Sequence, residues 1–154
     1  MASSTSWWGS KVRQFRAHLR ARVSPEERAA LVIWTTAEQG RLFDSMHVAD
    51  RRHGLDVVAT LRADRVTDPD VLVAALVHDA GKGATGVWPR VWRAAAMLPG
   101  FGPALERLRD HPERSAALAN AAGCSARTVD LIRYQDDPRD PEFGELLRLA
   151  DEAN

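Results

Sequence analysis

The sequence predicts an all-α protein, a single-domain helical core with an amphipathic helix ahead of it. Three observations predict this. The run VLVAALV at residues 71–77 would be apolar on every face of a helix, a pattern that belongs at the centre of a domain. Helix-start signals recur along the chain, two of them with the spacing of a capping box: Ser24-Pro25-Glu26-Glu27, and Thr36 with Gln39. No convincing alternation of apolar and polar residues marks a strand.

Composition bounds the class further. A chain of 154 residues is one ordinary domain, able to bury about two-thirds of its unfolded surface. Cys124 is the single cysteine, which excludes an internal disulfide, and the start MASSTSWWGS lacks the apolar run of a signal peptide. No apolar stretch approaches the roughly 20 residues of a membrane span. A soluble, cytoplasmic protein is expected. Cations and anions number 21 each, so specific nucleic-acid binding is not expected. Nothing points to an oligomeric state.

The charge is uneven, however. Residues 1–34 carry Lys11, Arg13, Arg16, Arg20, Arg22 and Arg28 against Glu26 and Glu27, a local balance of +4 that leaves −4 for the rest. Residues 1–35 are expected to form a helical extension packed on the core domain of residues 36–154. In it, residues 10–22 set Val12, Phe15 and Leu19 on one helical face with basic residues around the remainder.

The next helix starts at Ser24-Pro25 and reads to about Trp34. From Thr36 a long helix reads to about Ala63, its apolar face carrying Leu42, Met46, Ala49, His53 and Thr60. His53 therefore projects from a buried stripe, His47 points about 120° away toward the surface, and Asp50 either orients the His53 imidazole or is solvated. Thr67-Asp68-Pro69-Asp70 caps the central helix. That helix runs into His78-Asp79 and is expected to stop at Gly81. A carboxylate at the end of so apolar a helix needs a counter-charge or a cation.

Residues 82–92, KGATGVWPRVW, read as a loop, or as a loop opening into a short helix. Trp88 and Arg90 there suit stacking on a base and pairing with a phosphate, or the tryptophans simply pin the loop. A short helix follows from Ala104 to about Arg109. His111-Pro112-Glu113 opens a helix ending at Gly123, Ser125 caps another that stops near Asp136, and Asp140-Pro141 starts a terminal helix with Phe143, Leu146, Leu147 and Ala150 as its apolar stripe. Asp151 lies at the edge of that stripe.

His53, His78, Asp79 and Asp151 thus come from three helices, each at or beside a buried face. Imidazole with carboxylate suits a first-row transition metal rather than calcium or magnesium. The phrases RRHGLDVVATL, ALVHDAGKG and LLRLADEAN put these residues in the order H…HD…D. Over roughly residues 36–153 the chain resembles the HD-domain superfamily of metal-dependent phosphohydrolases.

The resemblance implies a helical core in which His53, His78, Asp79 and Asp151 hold one divalent metal of the Mn, Fe, Co, Ni or Zn class, with water at the open positions. It implies hydrolysis of a small phosphorylated compound, a nucleotide foremost, by metal-activated water. Asp79 is then a ligand, alternatively sharing the duty of base. Lys82 matches the lysine of the HDxGK subgroup and would hold the substrate phosphate. His111 resembles the additional histidine of two-metal members, but the following helix reads Ile132-Arg133-Tyr134-Gln135 where such members carry another histidine. A second metal is therefore not expected, and His111 and Tyr134 are left to line the pocket or donate protons. The competing reading is a metal- or nucleotide-binding regulatory module with little turnover.

Overall fold

A computed structural model of the protein describes residues 21–85 and 110–154; the fold class is all-α, with helices and no strand among the described residues. The expected helices within residues 10–20 and 104–109, and the loop of residues 86–92, lie outside the described residues; residues 21–24 are outside any helix.

Helix α1, Pro25–Leu31, begins as read: the Ser24 hydroxyl accepts from the Glu27 N–H while the Glu27 carboxylate accepts from the Ser24 N–H. It ends short of Trp34 because the Thr35 hydroxyl and N–H both bond the Leu31 carbonyl, closing the helix with a turn. Arg28 grips Asp44 with two hydrogen bonds of 2.6 Å, and Arg52 reaches Glu27 at 2.6 Å. These pairs and the buried Leu31 hold α1 against the next two helices.

The expected long helix is two helices, α2 at Ala37–Ser45 and α3 at Val48–Ala63. Met46 adopts an extended conformation at the break. His47, read as a surface residue, is partly buried and caps α3, its Nδ1 accepting from the Ala49 N–H at 3.3 Å. An imidazole that accepts a backbone N–H competes with helix continuation much as Asn or Asp does. Arg65 ends α3 in the left-handed region, φ 64°, and the Val66 N–H returns to the Leu61 carbonyl.

Helix α4, Pro69–Val77, is capped by Asp68, and every residue of 71–77 is buried. It lies against both α3 and α6, Ala126–Arg133. Its α-helical turns end at His78, ahead of the expected Gly81, and a 3-10 helix, Ala80–Thr85, runs on through that glycine. Gly81 serves proximity instead of termination. A Cβ there would lie 2.5 Å from the His111 carbonyl oxygen and 2.6 Å from the Ser115 nitrogen, and the Gly81 N–H donates to the Ser115 hydroxyl at 2.8 Å. That contact seats the 3-10 helix on α5, His111–Ala121.

The chain leaves α5 at Gly123, φ 72°, and Ser125 caps α6 as read. The last helix, α7, spans Gly144–Ala153. It starts later than Asp140-Pro141 because the Asp140 carboxylate accepts from the N–H groups of Glu142 and Phe143, making a turn before the helix. Helix α7 packs on α3 and α4 and buries Leu147 and Ala150 in the common core with Phe43, Leu61, Leu76 and Ile132. No helix among the described residues is long and apolar enough to cross a membrane.

Candidate metal centre

Three helices deliver the central atoms. His53 stands mid-way along α3, His78 closes α4, and Asp151 lies in the last turn of α7. Gly54 makes the first pair meet: a Cβ there would sit 2.4 Å from the Leu76 carbonyl oxygen, so only glycine lets α3 approach α4 this closely.

Asp151 Oδ1 is the meeting point, 2.6 Å from His53 Nε2 and 3.2 Å from His78 Nε2. The two imidazoles stand edge to face with centroids 5.3 Å apart. The three ligand atoms all lie within 4.8 Å of one another. Ligands at about 2.0–2.2 Å from one ion are at most roughly 4.4 Å apart, so modest adjustment brings this set onto a single cation. Two imidazoles with a carboxylate fit a first-row divalent ion by chemistry as well.

The orientation of His78 fits the same role. Its Nδ1 lies 2.8 Å from the Ala75 carbonyl, to which it donates, so Nε2 is the nitrogen turned to Asp151. Burial opposes the imidazolium, yet the carboxylates of Asp79 and Asp151 outweigh it and push the His78 pKa up to about 9. A proton on Nε2 thus stands where a cation would otherwise bind.

Asp79 borders this group and is 2% exposed. Its Oδ1 is 3.5 Å from His78 Nε2 and 3.6 Å from His111 Nε2, whereas Oδ2 is 2.5 Å from Lys82 Nζ. One oxygen faces the histidines and the other the ammonium. Burial would raise the Asp79 carboxyl, but the charges of His78 and Lys82 hold it well below the usual carboxylate range. Asp151, despite partial burial, is likewise held low by the hydrogen bonds from His53 and His78.

The structure therefore gathers His53, His78 and Asp151, with Asp79, Lys82 and His111 alongside. Trp88 and Arg90 lie outside the described residues. Tyr134 ends α6 with the Arg139 guanidinium stacked 3.8 Å from its ring centre, and it is the next residue, Gln135, that bonds His111, Nε2 to Nε2 at 3.0 Å. Asp50 is buried at 7% exposure, not solvated; burial first, then the Asp79 charge, push its pKa up to about 6. Sequence pattern alone gave Gln135 no role, since amides carry no periodic or charge signal.

Comparison with protein-family models, with curated proteins and with solved structures finds no match to this chain.

Proposed function

We propose that the chain is a metal-dependent phosphohydrolase of the HD type, acting on a small phosphorylated compound with a nucleotide as the foremost class. The observation that carries this reading is the convergence of His53, His78 and Asp151 from three helices on one point beside the Lys82–Asp79 pair. His53, His78 and Asp151, with Asp79 at their edge, would hold a divalent cation. When bound, such a cation supplies Lewis-acid polarisation of a phosphoryl oxygen and a nucleophilic water at neutral pH.

The remaining work falls to the chain. The Ala75 carbonyl fixes the His78 ring so that Nε2 faces the site. The Lys82 ammonium, held at Asp79 by its carboxylate, offers positive charge to the phosphate and to the negative charge that develops on its oxygens. His111 Nε2 stands 3.6 Å from Asp79 Oδ1, close enough to line the pocket.

A second reading, a metal- or nucleotide-binding regulatory module with little turnover, draws support from Gln135. Its amide engages His111 Nε2 and so occupies a nitrogen that a second metal would need.

Elemental analysis of the purified protein beside a His53→Ala/Asp151→Ala double variant, then a phosphoester screen with several metals, tests both readings. Expected are about one metal ion per chain, its loss in the double variant, and hydrolysis that disappears with Asp79→Ala. Metal without hydrolysis selects the regulatory reading. A protein that takes up no metal after loading removes the phosphohydrolase reading and leaves the binding-module one.

A further inference from the structure

The chain changes helix type between His78 and Lys82. His78 closes α4 at φ −56° and ψ −26°, already in the 3-10 range, and the Lys82 N–H bonds the Asp79 carbonyl at 3.0 Å to complete a 3-10 turn. Side chains three residues apart eclipse in such a turn, which sets the Lys82 ammonium against Asp79 Oδ2. In an α-helix the same two side chains would diverge by about 60°.

The group that holds the tighter turn comes from α5. The Gly81 N–H, which a continued α-helix would give to the Val77 carbonyl, donates instead to Ser115 Oγ at 2.8 Å. Gly81 is buried and Ser115 is 0% exposed, so water is no substitute partner for either group. Ser115 stands one helical turn after His111, and both lie on the face of α5 that meets residues 79–81, His111 Nε2 being 3.6 Å from Asp79 Oδ1. Only glycine at position 81 permits the approach, since an added Cβ would lie 2.6 Å from the Ser115 nitrogen.

We propose that Ser115 is a positioning residue for phosphate binding: by taking the Gly81 N–H it keeps the chain after His78 in 3-10 turns, and so places the Lys82 ammonium over Asp79 at the edge of the metal centre. The proposal rests on the phosphohydrolase reading and adds to it a residue that touches neither metal nor ligand. Without the serine hydroxyl, the Gly81 N–H is drawn back to the Val77 carbonyl, α4 gains a residue or more of α-helix, and Lys82 turns away from Asp79.

The test is equilibrium binding of inorganic phosphate to the manganese-loaded full chain, with manganese affinity measured on the same variants. Ser115→Ala should weaken phosphate binding about fivefold or more, because a displaced ammonium loses a charge-assisted contact. Manganese affinity should stay within about twofold, since His78 is oriented by the Ala75 carbonyl and His53 and Asp151 come from other helices. In a Lys82→Met background the same substitution should change phosphate affinity by less than about twofold, because Ser115 acts only through the lysine. Ser115→Cys, close in volume but a weak acceptor, should lose phosphate affinity in the same direction and gives the readout where Ser115→Ala does not fold. Full phosphate affinity in the serine variants, an equal loss with and without Lys82, or a parallel loss of manganese overturns the proposal while phosphate binds the unmodified protein. Failure of phosphate to bind the loaded unmodified protein overturns the phosphohydrolase reading, and this proposal with it.

Discussion

Lys82 Nζ lies 2.5 Å from Asp79 Oδ2, so the ammonium that would meet a substrate phosphate is also the counter-charge of the most deeply buried carboxylate in the site. Removing it leaves that carboxylate, among the described residues, with His78 and His111 as its side-chain partners. Lys82→Met should therefore destabilise the metal-free protein by about 2–3 kcal/mol, below the range for breaking a fully buried pair because the Lys82 side chain is partly exposed. Urea unfolding with a chelator present reads the difference, and metal should restore part of it. An unshifted midpoint would mean that the His78 charge alone balances Asp79.

Asp50 gives a pH signature of opposite sign to an ordinary ion-paired carboxylate. Its folded pKa, about 6, lies above the ordinary 3.8, so the folded state holds the proton more tightly. The contribution favours folding fully below the ordinary value and is lost as pH rises through about 6. Asp50→Asn is permanently uncharged and should stabilise the metal-free protein by about 2 kcal/mol at pH 8, with little effect at pH 4. Equal gains at the two pH values would remove the electrostatic explanation.

Metal uptake should release a proton from His78. With its pKa raised to about 9, the imidazole is charged at neutral pH and must become neutral to ligate. Zinc affinity, measured by competition with a chromophoric chelator, should rise about tenfold per pH unit between pH 7 and 9. In the metal-free state the same raised pKa favours folding below the ordinary histidine value of 6.5, a contribution lost as pH rises through about 9. A flat affinity profile would show that His78 is already neutral or does not ligate.

The approach of α3 to α4 is set by Gly54. Because its added Cβ would meet the Leu76 carbonyl oxygen at 2.4 Å, Gly54→Ala must move backbone. A loss of about 2–3 kcal/mol is expected, together with weaker metal binding, since His53 and His78 flank that contact. Calorimetric melting and metal titration check the two effects separately. A variant of unchanged stability that still binds metal normally would show that the helices separate freely.

The all-helical class and most helix starts were legible in the sequence because the signals are local. Ser24, Thr36, Asp68 and Ser125 each accept a backbone N–H two or three residues ahead, a relation contained in four residues of chain. The apolar run of residues 71–77 had no solvent face to offer, and it is buried throughout. Likewise, His53, His78 and Asp151 could be picked out because their phrases stand in the order H…HD…D of the resemblance, a pattern carried by the sequence itself.

Tertiary structure decided the rest, since the remaining questions depend on which distant groups meet. The break at Met46–His47 follows from an imidazole choosing a backbone N–H over the surface position that helical periodicity assigned to it. Gly81, which reads as a helix stop, is a contact point whose reason lies on α5, at the His111 carbonyl and Ser115. Asp50 is buried by packing that no local pattern encodes. Above all, the pairing of Gln135 with His111 joins residues 24 positions apart through a neutral amide. Sequence alone specified the helices and the chemistry each can present, because those depend on neighbours along the chain. Packing alone determined which of those groups share a proton, a charge or a ligand, because electrostatic and hydrogen-bond energies act over distances in space.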